Sequence, residues 1–112
     1  MLIRAIALTA AGLLVAGQAA AAGRISDVDY LRASRCRGLA DSLPGVVDSA
    51  AMTAFVKSAG ATRDSYIGQR ASEEYDRARR DARNAERKDR LTAELAGPCA
   101  AFLAKPADLA RR

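Results

Sequence analysis

The chain has 112 residues, a formal charge of +5, two cysteines and no histidine. That length suits one small domain, and the missing histidine removes the commonest general base, the Ser–His and Cys–His nucleophile pairs and nearly every zinc site. Much of the hydrophobic content is alanine: of the 90 residues after Ala22, only 15 are Leu, Ile, Val or Phe. That is below the roughly 20% at which a charged chain starts to resemble a disordered one, so any core is thin and calls for a staple.

The first 22 residues read as a secretory leader. MLIR is a short basic start, AIALTAAGLLVAG an apolar run, and QAAAA ends in the small residues a signal peptidase needs. Cleavage is expected after Ala22, with export to the periplasm and a charge of +4 once Arg4 is lost. The competing reading is an uncleaved membrane anchor, but the apolar run is barely long enough and ends without a basic stop. Lipidation is disfavoured, because Cys36 lies far from the apolar run and follows Arg35.

The domain is expected over 23–105 and is read as all-α, with about four helices. Ser26 followed by Asp29 resembles a capping box. Val28, Leu31, Cys36, Leu39, Ala40 and Leu43 then recur at helical spacing, which predicts a first helix over 27–43 ended by Pro44-Gly45. Asp48 or Ser49 starts a second, short helix carrying Met52, Phe55, Val56 and Ala59 inward and stopping at Gly60.

From Asp64 to Ala96 no proline interrupts a run rich in Ala, Arg, Glu and Lys, all good helix formers. Glu73–Arg77, Asp76–Arg80 and Glu86–Arg90 set an acid four residues before a base, the favourable order. Gly97-Pro98 is expected to end this long helix and start a last one with Cys99, Phe102 and Leu103 inward, followed by a basic tail over 106–112. No period-2 strand pattern occurs.

Two stripes compete on the long helix. Ala71, Tyr75, Ala78, Ala82 and Ala85 form one, whereas Leu91 and Leu95 fall nearly opposite and align with Cys99 and Phe102. The alanine stripe faces the second helix, water or a second copy, in which case Ala78, Ala82 and Ala85 make a homodimer contact. A bend near Arg87–Asp89 is the other way to reconcile the stripes.

Cys36 and Cys99 are expected to form a disulfide in the oxidising compartment that export implies. Metal ligation or a redox pair is the rival, weakened by the absence of a CxxC motif and of histidine. Closing a loop of that length stabilises by about 4 kcal/mol in the chain-entropy model, a large share of the about 5–15 kcal/mol typical of a domain.

The sequence carries no glycine-rich phosphate loop and no calcium-loop pattern. Glu73-Glu74 is the only adjacent carboxylate pair. Sequence neighbours point about 100° apart on a helix, so they cannot face one substrate as glycosidase carboxylates do and read as solvated acids pairing with Arg77 and its neighbours. Tyr30, Tyr66 and Tyr75 read as core or core-edge residues. No catalysis, metal or cofactor is expected.

Residues 77–90, RARRDARNAERKDR, hold seven basic and three acidic residues. Arg79, Arg83, Arg87 and Arg90 step by 4, 4 and 3 and line one side of a helix. Either they are a solvated face, in keeping with fifteen arginines to three lysines overall, or they dock on an acidic protein or an anionic envelope component. Nucleic acid is not expected, because an exported protein rarely meets it and no aromatics interleave the arginines.

In plan, the chain resembles small periplasmic acid-stress chaperones and small disulfide-linked immunity proteins: compact, helical, with one bridge between distant segments. That resemblance implies binding. The basic balance and the lack of histidine depart from the chaperone type. The leading expectation is a non-catalytic accessory or inhibitor protein, and the alternatives are a chaperone-like holdase and a structural homodimer.

Overall fold

The computed structural model describes residues 25–104; the expected leader over 1–22 and tail over 106–112 lie outside the described residues. Within them the fold is all-helical and has no strand. In chain order come α1 (Asp27–Ser42), α2 (Ser49–Gly60), α3 (Ser65–Asp81), a 3₁₀ turn (Ala85–Arg87), α4 (Lys88–Glu94), a π turn (Leu95–Cys99) and α5 (Ala100–Ala104). The last three run on as one helical rod.

Each of the first three helices starts where a side chain satisfies an orphan backbone N–H. Ser26 Oγ accepts from Asp29 N–H at 3.1 Å, Asp48 from Ala51 N–H at 3.1 Å and Asp64 from Ile67 N–H at 2.9 Å. The α1–α2 turn uses Gly45 at φ +90°, a backbone state that favours glycine.

The stretch expected to be one helix from Asp64 to Ala96 is broken, and earlier than Arg87–Asp89. Helix α3 ends at Asp81. Arg83 N–H then donates to the Arg80 carbonyl at 3.1 Å, and Asn84 N–H to that of Asp81 at 3.0 Å. Asn84, the chain's single asparagine, accepts from Glu86 N–H at 2.9 Å and starts the next turn. Conversely, Gly97-Pro98 does not end a helix. Proline lacks an N–H and its ring clashes with the carbonyl four residues back; here Pro98 sits inside a π turn, whose wider ladder makes room for it.

The break settles the two stripes. Ala71 and Ala78 face α1, while Leu91 and Leu95 turn inward with Cys99 and Phe102. Leu39, Met52, Leu91 and Leu95 are fully buried at the centre, and the Phe55 and Phe102 rings meet at 5.6 Å. Helices α1 and α3 pack most closely: a Cβ built on Gly38 would lie 2.5 Å from the Tyr75 carbonyl oxygen and 2.9 Å from Ala78 Cβ. The three alanines of the expected dimer contact are placed differently from one another within the chain. Ala78 is fully buried against its own α1, Ala82 is half-buried against the core, and Ala85 is exposed beyond the break. Val28, expected inward, is 57% exposed.

The disulfide joins Cys36 of α1 to Cys99 of the π turn, with Cα atoms 5.5 Å apart, closing the long loop expected from the sequence. Arg63 makes a second tie. Its Nε donates to the Ala59 carbonyl (2.9 Å), Nη2 to that of Ile25 (2.6 Å) and Nη1 to Asp27 (2.8 Å), with Tyr30 beneath it. It thereby satisfies a free carbonyl near the end of α2 and anchors the start of α1.

Candidate functional site

The arginines divide into those that tie the fold together and those left open. Arg35 belongs to the first group. From α1 it grips Glu94 of α4 in a two-bond fork (Nε 2.8 Å, Nη2 3.0 Å) and lies 3.6 Å from Asp81 at the end of α3. Hydrogen bonds to Glu94 hold its guanidinium pKa above its already high ordinary value, opposed by partial burial and reinforced by the charges of Glu94 and Asp81. Asp81 also accepts from Arg87 at 3.0 Å. Arg87, Asp81, Arg35 and Glu94 thus form one chain of charges spanning the break.

That network revises the expected row. Arg79, Arg83, Arg87 and Arg90 do not line one helix, because α3 ends between Arg79 and Arg83. Arg79 lies in the last turn of α3, Arg83 in the following turn, Arg87 in the 3₁₀ turn against Asp81, and Arg90 exposed on α4. Arg79 and Arg83 do converge, together with Arg80, around a shallow cleft of about 310 Å³ that also touches Asp76. The tight turn after Arg80 brings its neighbour Arg83 back toward it. Among the described residues, none of Arg79, Arg80, Arg83 and Arg90 forms an ion pair. The acid-before-base pairs expected from the sequence do not form either. Instead Glu73 meets Arg70 at 3.4 Å and Glu74 meets Arg77 at 3.3 Å, so each acid of the adjacent pair has its own arginine.

Local physics supports the cluster. Arg79 and Arg80 occupy the last turn of α3, where the partial negative charge of the helix end favours cations by about 0.3–1 kcal/mol. The Arg79 guanidinium also lies 5.7 Å from the centroid of the Tyr75 ring. Tyr75 is held in turn by its hydroxyl, which donates to Asp41 at 2.6 Å. Of the three tyrosines, Tyr30 is buried and Tyr75 half-buried, as expected of core and core-edge residues; Tyr66 departs from that reading at 67% exposed.

Arg80 was missed by the helical-row reading, because it sits about 100° from Arg79 on the helix and joins the cluster only through the turn. No group of three or more Cys, Asp or Glu side chains is placed to hold a metal among the described residues, and no helix among them is long and apolar enough to cross a membrane. What this surface offers chemically is a set of fork-shaped hydrogen-bond donors carrying positive charge, suited to carboxylates and other oxyanions. Comparison with protein-family models, curated proteins and solved structures finds no match to the chain.

Proposed function

We propose that this is a small exported, non-catalytic helical protein that docks on an acidic partner protein or an anionic envelope surface through Arg79, Arg80 and Arg83. Arg90, exposed on α4, is a further contact to be tested separately. Arg87 is left out because it is already paired with Asp81. Export rests on the leader-like segment of residues 1–22 and the oxidised cysteine pair that such a compartment favours.

The observation that carries the reading is the division among the arginines. Arg35 and Arg63 are spent on internal carboxylates and carbonyls, while Arg79, Arg80 and Arg83 gather about one cleft that Asp76 also lines. Charges acting together raise the encounter rate and affinity for an opposite surface, and salt screens that effect over about 8 Å at physiological strength.

The test measures binding of the folded protein to a glutamate-rich peptide and to phosphatidylglycerol vesicles over a range of salt. Saturable binding to either that weakens steeply with salt supports the reading and tells the two surfaces apart. No binding to either at low salt contradicts it, and equal suppression of aggregation for many unrelated proteins points instead to a holdase.

A further inference from the structure

A different arginine, on α1, faces a second cleft. Arg37 lies with its guanidinium 4.2 Å above the Tyr75 ring. With Tyr30, Ser34, Val56, Ala71, Ser72 and others it lines a space of about 310 Å³ between α1, α2 and α3. Its Nε is buried with no hydrogen-bond partner, and no ion pair to Arg37 occurs among the described residues. Buried guanidinium nitrogens are ordinarily hydrogen-bonded.

Most of the surrounding polar groups, Asp76 on the rim excepted, are already committed. The nearest acid on the same helix, Asp41 one turn on, accepts from Tyr75 at Oδ2 and from Ser49 at Oδ1, both at 2.6 Å. Ser34 donates to the Tyr30 carbonyl at 2.9 Å and Ser72 to that of Gly68 at 3.3 Å. The cleft therefore presents the Arg37 guanidinium, in no ion pair among the described residues, above a fixed aromatic ring, with the almost fully buried Val56 and Ala71 at its floor and Asp76 on its rim.

We propose that this cleft is a binding site for a carboxylate on a short apolar stem, with Arg37 as the residue that grips it. Tyr75 covers one face of the guanidinium, so a ligand approaches along its edge, in the plane that matches a flat carboxylate. The stem rests on Val56 and Ala71 at the floor of the cleft. Asp76, on the rim, disfavours a dianion such as phosphate. The carboxylate comes either from a glutamate side chain of a bound protein or from a free short-chain acid. The site adjoins the Arg79–Arg80–Arg83 face, sharing Asp76 with it and Tyr75 with Arg79, but its gripping residue, Arg37, belongs to neither that cleft nor that proposal.

The experiment follows the arginine Nε–Hε resonances of the intact, oxidised protein by ¹H–¹⁵N NMR, with Arg37 assigned by its loss in Arg37→Lys. Butyrate, a glutamate-rich peptide, inorganic phosphate and chloride are titrated at matched ionic strength. A saturable shift of the Arg37 signal with butyrate or peptide, and not with phosphate or chloride, is expected. Butyrate alone identifies a free acid as sufficient; the peptide alone identifies a protein side chain. Arg37→Lys, checked for folding by circular dichroism, should weaken that binding at least tenfold, whereas Arg80 and Arg83 changed together to Gln should leave butyrate binding intact. An unmoved Arg37 signal, an equal response to phosphate or chloride, or undiminished binding by folded Arg37→Lys overturns the proposal.

Discussion

Gly38 of α1 and Ala78 of α3 meet where a single added methyl has no room: built on Gly38, it would lie 2.9 Å from Ala78 Cβ and 2.5 Å from the Tyr75 carbonyl oxygen. The clash involves backbone, which cannot swing aside as a side-chain tip can. Overpacking of this kind costs about 1–3 kcal/mol. Gly38→Ala is expected to lower the melting temperature by at least about 5 °C, on the scaling of about 4–8 °C per kcal/mol for a domain of this size. Gly68→Ala, inside α3 with no atom within 4 Å of the new methyl, should do the reverse and stabilise by about 0.5–1 kcal/mol. Thermal melts of the two variants check both signs.

The disulfide should dominate stability. Reducing Cys36–Cys99, or replacing both residues with Ser, is expected to cost about 2–5 kcal/mol. With so few large apolar residues in the core, much of the helical signal at 37 °C should go with it. Denaturant titrations with and without reductant measure the difference; curves that superimpose would show that the core suffices without the bridge.

The charge network across the break should matter more than the surface pairs. Glu94→Gln removes the carboxylate gripped by Arg35 and leaves a partly buried cation, at a cost of about 1–2 kcal/mol after allowance for solvent screening. Glu73→Gln removes only an exposed pair and should change stability by less than about 0.5 kcal/mol. The raised pKa of Arg35 makes its contribution fully present below the ordinary arginine value and lost only above the raised one. Raising the pH from neutral to mildly alkaline therefore should not titrate Arg35. Parallel denaturation of the two variants, repeated at mildly alkaline pH, tests both points.

The helices were legible wherever a short signal coincided with a real boundary: Ser26, Asp48 and Gly45 start or stop what they were expected to. The cysteine pair was legible from its count and from the export expected of the leader-like segment. The long helix was not, because the summed helix propensity of an Ala- and Arg-rich run outweighs one asparagine, while the structure resolves two opposed stripes at Asn84. Gly97-Pro98 misled in the opposite direction, since a π turn absorbs the proline. Of the charged cluster, Arg79 and Arg83 were visible as spaced residues. Arg80 depended on a turn, and Arg37 on the packing of α1 against α3 around Tyr75, neither of which has a local sequence period.

Recognition by charge, separate from folding, is the central claim. Its most direct test is Arg79, Arg80 and Arg83 replaced together by Gln, which keeps helix propensity and removes charge from residues that make no ion pair among those described. Affinity for the anionic surface that the wild-type protein binds is measured against salt, beside a thermal melt of the same sample. The account predicts a melt within about 1 kcal/mol of wild type, since exposed charges contribute little to stability. It also predicts at least a tenfold loss of affinity at low salt and a flatter salt dependence. Unchanged affinity and an unchanged salt slope in a folded triple variant would contradict it.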